Sequence, residues 1–329
     1  MRETKEPAIL TEGLRKKYAG EVRALDDVTI SVPEGIVFAL LGPNGAGKSS
    51  TVKILTTLSR PDSGRASVAG IDVLRQPGRV RKAIGVVGQK SGVDREATGR
   101  ENLLLQGRIY GLRGKGLTRR TDELLSRFEL SEAAERLART YSGGMQRRLD
   151  IAMALVQKPR VLFMDEPTTG LDPEIRAAMW AEISRLAREE GLTILLTTHY
   201  LEEADHLASQ LAILDRGRVV ASGSPEELKT ELQGDAIHLE LSGTETNGRA
   251  VAVLEQVDRL REVALDGRVL RARAADGAAT VPTVLAALDH AGVTVATVTV
   301  ARPSLDDVYL RYAGRSFNAA DGESKEESR

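Results

Sequence analysis

Hydrophobic positions in the first two-thirds of the chain fall in short continuous runs, separated by stretches with helical spacing. Ile36-Val37-Phe38-Ala39-Leu40-Leu41, Val161-Leu162-Phe163-Met164 and Thr193-Ile194-Leu195-Leu196-Thr197 show no alternation. Such runs predict strands buried on both faces, as in a parallel α/β sheet. Ala8 to Leu14 and Val28 to Val32 come closer to alternation and fit an antiparallel edge or subdomain. Residues 95–140 carry Arg, Leu and Glu at helical spacing and predict a helical insert, broken by a loop at Gly111-Leu112-Arg113-Gly114-Lys115-Gly116.

The pattern changes near Gly234. Ala236 to Leu241 predicts a strand and Ala250 to Leu260 a helix. Val263 to Leu265 and Val269 to Arg273 predict a hairpin turning at Asp266-Gly267. Val281 to His290 predicts a helix, and the β-branched alternation of Val293 to Val300 a last strand. The order β-α-β-β-α-β is that of a small ferredoxin-like α+β domain. A short helix, Ser304 to Tyr312, follows Pro303. The expected division is a leader at 1–7, a main domain at 8–232, an accessory domain at 233–313 and a tail at 314–329. That tail lacks apolar periodicity and is expected to be disordered.

Composition narrows the classes. With 329 residues the chain is expected to form two domains. Its 46 basic and 47 acidic side chains leave a net charge of −1, and aromatics make up 3%. Both weigh against nucleic acid as a partner. The absence of cysteine excludes disulfides, thiolate metal sites and a catalytic thiol. No apolar run approaches the ~18 residues of a membrane span. The charged start, Met1 to Pro7, does not read as a secretory signal.

Chemistry concentrates at strand ends. Gly42-Pro43-Asn44-Gly45-Ala46-Gly47-Lys48-Ser49, with Ser50 behind it, follows the Ile36–Leu41 run. An apolar-periodic helix comes next (Val52, Ile54, Leu55, Leu58). The string matches G-x-x-x-x-G-K-[ST] in its strand–loop–helix setting. Glycines let backbone N–H groups curl toward phosphate oxygens, and the helix N-terminus adds partial positive charge. Lys48 can reach the β- and γ-phosphates, and the Ser49 hydroxyl can ligate Mg²⁺. The strand Val161–Met164 delivers Asp165 as a further Mg²⁺ anchor and Glu166 as a base that orients water. In Tyr141-Ser142-Gly143-Gly144-Met145-Gln146, Ser142 is a good N-cap for a helix over Gln146 to Val156. Two readings stand for this segment: a capped helix, or a second phosphate-binding helix end that implies a dimer.

Together with His199 after the Thr193–Thr198 run, these motifs stand in the order and spacing of ATP-binding cassette (ABC) ATPases. The chain resembles that family over about residues 8–232. The resemblance implies ATP and Mg²⁺ as cofactors, with a mixed sheet, an antiparallel subdomain and a helical subdomain. It further implies that Tyr18 stacks on adenine, that Gln89 touches Mg²⁺ and water and faces a transporter, and that His199 contacts the γ-phosphate. Asp172, in Gly170-Leu171-Asp172, is implied to lie at a dimer interface beside the nucleotide. Ser142, Gly143 and Gly144 are implied to close on the nucleotide of a second copy, head to tail. The family signature usually reads Leu-Ser-Gly-Gly-Gln, and this chain departs from it at Tyr141 and Met145.

Tyr141 to Asp150, Thr197 to Asp205 and Pro303-Ser304-Leu305-Asp306-Asp307-Val308-Tyr309-Leu310 resemble the daunorubicin-resistance ATP-binding subunits. That narrower resemblance implies drug export through a separate integral-membrane permease, with this chain peripheral on the cytoplasmic face. Gln89, the segment Gly92 to Gly111 and the helical Arg108 to Arg127 are the expected permease contacts. Lipid or polysaccharide export and an importer ATPase remain open, as does, more remotely, a soluble ABC ATPase acting on ribosomes or DNA. A small-molecule kinase would leave Ser142-Gly143-Gly144 unexplained. The accessory domain lacks any catalytic constellation and is expected to regulate or to stabilise a dimer.

Overall fold

The computed structural model describes residues 6–232, 234–242, 247–315 and 317. Contacts divide the chain into two units, Met1–Ser222 and Gly223–Arg329. The division falls ten residues before the expected boundary at 232/233. Helix Pro225–Glu231 goes with the second unit because Glu231 accepts hydrogen bonds from the Tyr312 hydroxyl (2.9 Å) and, at its carbonyl, from Arg311 (3.2 Å).

Two sheets form the first unit. The larger has six strands in the order Arg218–Gly223, Gln210–Asp215, Val37–Leu41, Thr193–Thr198, Val161–Asp165, Ile84–Val87. Val37–Leu41 pairs in parallel with both of its neighbours, and Thr193–Thr198, Val161–Asp165 and Ile84–Val87 continue the parallel order. The three apolar runs are therefore central strands, buried along their length because both faces are covered. Phe38, Leu40, Phe163 and Leu195 join Ile54 and Leu55 in one core. The smaller sheet, ordered Arg23–Val32, Ile9–Lys17, Ser63–Val68, Ile71–Asp72, is antiparallel as expected.

The helical insert comprises Gly99–Ile109 and Gly114–Arg127. The expected loop at 111–116 is shorter, because Gly114, Lys115 and Gly116 already form the first turn of the second helix. Leu58 is also displaced from its expected place. The phosphate-loop helix spans Lys48–Leu55, and Leu58 lies beyond it, 75% exposed.

In the second unit, Asp235–Leu241, Asn247–Leu254, Leu260–Asp266, Val269–Ala274, Gly277–His290 and Val295–Ala301 follow as β-α-β-β-α-β. The sheet order Leu260–Asp266, Val269–Ala274, Asp235–Leu241, Val295–Ala301 is antiparallel throughout. This is the ferredoxin-like arrangement. The first helix stops at Leu254, short of the expected Leu260, which begins the next strand. Ile237, Leu239 and Leu270 pack with Ala250, Leu254, Val284 and Leu288 on one face. His238 and Arg271, cross-strand partners, lie on the other face and meet Asp306 and Asp307 of helix Leu305–Ala313. Phe317, expected in the tail, is buried edge-on against Tyr309 at 4.9 Å between ring centroids. Residues 1–5 of the leader, and 316 and 318–329 of the tail, lie outside the described residues.

Candidate active site

Four neighbouring parallel strands bring their C-terminal ends to one edge of the six-stranded sheet. Val37–Leu41 runs into the loop Gly42–Gly47, and helix Lys48–Leu55 begins directly behind it. Gly47 sits at φ +108°, a region side chains rarely enter, and a Cβ there would lie 2.6 Å from the Ala24 carbonyl oxygen. The Lys48 ammonium donates to the Gly42 and Pro43 carbonyls at 2.6 and 3.0 Å, which ties the loop into a ring around it. The first-turn N–H groups of Lys48, Ser49 and Ser50 lack intrahelical partners by position, so their dipoles favour an anion at this end. Asn44, Gly45 and Ala46 complete the turn, with Ala46 N–H on the Pro43 carbonyl.

Strand Val161–Asp165 ends beside this loop. The Ser49 hydroxyl lies 3.4 Å from Asp165 Oδ1. The next residue, Glu166, adopts φ +47°, a left-handed conformation that strains a residue with a side chain. Thr197 on the adjacent strand holds it there. The Thr197 hydroxyl accepts from Glu166 N–H at 3.0 Å and donates to Asp165 Oδ1 at 2.5 Å. Glu166 then gathers four partners. Its Oε1 lies 3.2 Å from His199 Nδ1 and 3.9 Å from Lys48 Nζ. Its Oε2 accepts from Gln89 Nε2 and Thr169 Oγ1, each at 3.2 Å. The His199 ring, with smaller help from Lys48 and Thr169, holds the Glu166 carboxyl below the usual carboxylate range against the opposing effect of burial. The carboxylate is therefore ionised at neutral pH, and its side chain is largely buried among these partners.

Lys48, Ser49, Gln89, Asp165, Glu166 and His199 thus meet in one cluster. Ser142, Gly143, Gly144, Tyr18 and Asp172 take no part in the contacts that build it. The Ser142 hydroxyl caps helix Gly143–Ala154 by accepting from Met145 N–H at 3.2 Å, so both glycines lie inside the first turn rather than before it. The helix accordingly starts three residues earlier than expected. Tyr18 is 40% exposed, its ring 5.5 Å from the Lys16 ammonium. Asp172 caps helix Pro173–Glu190, accepting from Ile175 N–H at 2.9 Å.

The family models match in two places. Residues 25–169 fit "ABC transporter" and 223–313 fit "ATP-binding protein DrrA1-3-like, C-terminal domain". The chain is 45% identical over 93% of its length to the daunorubicin resistance ATP-binding protein DrrA3 of Streptomyces coeruleorubidus, covering 96% of that protein. It is 43% identical to the daunorubicin/doxorubicin resistance ATP-binding protein DrrA of Streptomyces peucetius, over 98% of this chain and 96% of that one. The chain belongs to the ABC transporter ATP-binding family. It is an ABC ATPase.

Solved cassettes share the fold. CbiO1 of Clostridium perfringens, part of an ABC transporter complex, matches at TM-score 0.64 and 27% identity, over 69% of this chain and 92% of that one. The ATP-binding cassette MJ0796, solved as a dimer in a post-hydrolysis state with ADP and Pi, matches at TM-score 0.60 and 28% identity, over 66% and 98%.

The cassette also explains one departure from the family signature. Tyr141 is buried, its hydroxyl donating to the Ala133 carbonyl at 2.7 Å and its ring standing over Gly99. It anchors the helical insert and leaves Ser142 and the glycines in place. Sequence reasoning missed Thr197, Thr169, Arg147, Asp150 and Glu203. Thr197 reads as one more β-former in a core strand. Arg147 and Asp150 are opposite charges three apart in one helix, a spacing that reads as a solvated ion pair until the fold shows both side chains buried. Glu203, buried on helix Leu201–Leu207, accepts from Thr168 Oγ1 at 2.6 Å and Trp180 Nε1 at 3.1 Å.

Proposed function

We propose that this chain is the ATP-hydrolysing subunit of an exporter for hydrophobic natural products of the anthracycline class. In this reading it works as a head-to-tail homodimer beneath a separate permease, on the cytoplasmic face of a membrane. The observation that carries the drug-export reading is the identity of 43–46% over more than nine-tenths of the chain to daunorubicin-resistance proteins. The match extends through the second unit, to which the DrrA-like C-terminal model fits. Nod factor export proteins, at 37%, stand further off. Among the described residues, no helix is long and apolar enough to cross a membrane, which is consistent with a permease carried by another chain. Leu105 and Ile109, 51% and 68% exposed on helix Gly99–Ile109, offer an apolar contact within the Gly92–Gly111 segment proposed to face it.

The site supports the following division of labour. The loop Gly42–Gly47 with the first turn Lys48–Ser50 wraps the phosphates, and Lys48 neutralises them. Tyr18 stacks on the base. Ser49, Asp165 and Gln89 present hard oxygen donors, the set that Mg²⁺ prefers when substrate phosphates complete its shell. When bound, Mg²⁺ would neutralise charge on the phosphates. Glu166, ionised and held by Gln89 and Thr169 on one oxygen, orients and deprotonates water through the other. His199, 3.2 Å from that oxygen, steadies the γ-phosphate and the geometry of the base. Ser142, Gly143 and Gly144 close on the nucleotide of the partner copy, and Asp172 lies at that interface. ATP held from both sides closes the dimer, and hydrolysis removes the bridge.

The test is export. Inverted vesicles carrying this chain and a co-expressed permease should take up doxorubicin only with ATP, and doxorubicin should stimulate their ATPase. Glu166→Gln should abolish both. Uptake unaffected by Glu166→Gln, or ATPase stimulated by lipid-linked oligosaccharide and not by any anthracycline, would overturn the drug-export reading.

A further inference from the structure

Helix Gly143–Ala154 carries two charges on its buried side. Arg147 and Asp150 are three residues apart, so they share one face, and each is only 8% exposed. Arg147 is spent on two backbone carbonyls. Its Nε donates to Pro167 O and its Nη1 to Gly88 O, both at 2.8 Å. Pro167 directly follows Glu166, and Gly88 directly precedes Gln89. Asp150 accepts from Gly92 N–H at 2.9 Å and lies in hydrogen-bond contact with Ser91, so it holds the far side of the same Gln89 segment.

These contacts close a ring. Gln89 and Glu166 touch through their side chains at 3.2 Å, and Arg147 spans the residues flanking both. Burial opposes each charge, drawing the Arg147 guanidinium down and pushing the Asp150 carboxyl up from their ordinary values. Both charges are used on backbone groups of the segments that flank Gln89 and Glu166, and removing one partner of such a buried pair is costly because it leaves the other uncompensated. Only a guanidinium reaches two carbonyls at this spacing from a rigid fork. Asp165 and Glu203 add their charges to the surroundings of Arg147.

We infer that Arg147 and Asp150 are positioning residues that fix Gln89 against Glu166 and tie both to the helix headed by Ser142-Gly143-Gly144. The inference rests on the proposed dimer for its second half. The helix end that meets the partner's nucleotide is then rigidly joined, through one buried pair, to the residues that hydrolyse the chain's own. A shift of that helix moves Gly88, Gly92 and Pro167 together, so the two nucleotide sites are coupled mechanically. The path continues outward. Asp94 N–H donates to Asn102 Oδ1 at 2.8 Å, and Asn102 Nδ2 returns to the Asp94 carbonyl at 2.9 Å, which pins the segment after Gly92 to helix Gly99–Ile109.

The test uses full-length wild type, Arg147→Lys, Asp150→Ala and Asp150→Asn, with steady-state ATPase over a range of ATP, nucleotide binding to each variant, and thermal unfolding as a control. Arg147→Lys keeps the charge but not the fork. Asp150→Asn keeps the acceptor for Gly92 N–H, and Asp150→Ala removes it. In Arg147→Lys and Asp150→Ala, kcat should fall about tenfold or more, the size expected for losing a charge-assisted hydrogen bond, while KM moves by less than about threefold. Asp150→Asn should recover to within about threefold of wild type. The Hill coefficient for ATP should drop toward 1 in the two damaged variants. The inference is overturned if both keep wild-type kcat and cooperativity. It is also overturned if kcat and nucleotide affinity fall in equal proportion with the unfolding midpoint, or if Asp150→Asn is as damaged as Asp150→Ala. A wild-type chain that neither hydrolyses ATP nor shows cooperativity would instead strike at the proposed function, so the two failures are distinguishable.

Discussion

Thr197→Val isolates what holds the strained residue at the centre of the site. Valine matches threonine in shape, so the change exchanges one hydroxyl for a methyl in a fully buried position. Two contacts go. The hydroxyl no longer donates to Asp165 Oδ1 at 2.5 Å and no longer accepts from Glu166 N–H at 3.0 Å. A hydrogen bond to a charged group contributes about 1.5–3 kcal/mol. The Glu166 N–H keeps a second acceptor, the Thr197 carbonyl at 3.2 Å, which limits the rest of the loss. The expected cost is about 2 kcal/mol, or a fall of roughly 4–8 °C in the unfolding midpoint for a unit of this size. The kinetic effect should be larger than the thermodynamic one. Glu166 at φ +47° is held away from its preferred backbone region, and the hydroxyl is one of the contacts holding it. Released, its carboxylate can move by about an ångström, a displacement that can cost on the order of 100-fold in turnover. Calorimetry and steady-state ATPase on the purified chain read both quantities. Thr197→Ser keeps the hydroxyl and should retain kcat within about threefold. A Thr197→Val protein with wild-type turnover and a midpoint shift under about 2 °C would refute the argument.

Glu166→Gln should keep ATP binding and lose roughly 10²–10⁴-fold in turnover, the usual worth of a general base; ATPase within tenfold of wild type sinks that assignment. Because the Glu166 carboxyl titrates below the usual range, the pH–rate profile between pH 8 and pH 5 should show no acid limb that Glu166→Gln removes. Ser142→Arg should abolish ATP-driven dimerisation of the Glu166→Gln protein, read by gel filtration, and cost about 1 kcal/mol for the lost helix cap. In the second unit, burial pushes Asp307 up, but hydrogen bonds from His238 and from Ser304 outweigh it and bring the carboxyl from 3.8 to about 2. A folded-state value below the unfolded one stabilises above the unfolded value and is lost as pH falls through the folded one. That amounts to about 2 kcal/mol present at pH 7 and withdrawn between about pH 4 and pH 2. Asp307→Ala should therefore lower the unfolding midpoint of this unit at pH 7, with the gap to wild type closing at pH 2; a gap unchanged by acid contradicts the account.

The site's residues differed in how legible they were. Lys48, Asp165, Glu166 and His199 could be read because each follows a continuous apolar run, and such a run marks both a buried parallel strand and the place where it ends. Thr197 and Arg147 could not be read that way. Threonine in a β-branched run looks like packing, and arginine beside Arg148 looks like a solvated helix face; only the fold shows that the one faces Asp165 and the other two carbonyls from distant segments. The second helix of the insert was expected, but its start at Gly114 was placed too late because glycine weighs against helix locally, while burial of Leu117, Thr121 and Leu124 overrides it. Phe317 was missed for the converse reason. A lone aromatic in a polar stretch has no periodicity, and its partner Tyr309 lies a helix away. Asp172 was reached through the resemblance, and the geometry adds a helix cap that Asp at such a position favours in any fold.

The topology of the two units accounts for where the chemistry gathers. Parallel strands end on the same side, and the ends of neighbours lie about 4.8 Å apart. Four adjacent strands can therefore deliver a phosphate loop, a histidine, a carboxylate pair and a glutamine to one edge within the span of a nucleotide's phosphates. This is the general rule for ligands at the carboxyl ends of open α/β sheets. The sheet of the second unit is antiparallel throughout, so its strand ends alternate between two edges and cannot collect a site in the same manner. Its charged groups are used differently. Arg271 pairs with Asp306, and His238 with Asp307, across the face opposite the apolar core. These pairs hold helix Leu305–Ala313 on a sheet face where hydrophobic burial is shared by few residues, chiefly Leu305, Val308 and Tyr309. The second unit thus spends its ionisable side chains on its own architecture, and the first spends them at a strand-end cluster where a phosphate chain fits. That contrast is why the cluster suited to ATP chemistry lies in the first unit, while among the described residues of the second the strand ends gather no comparable set.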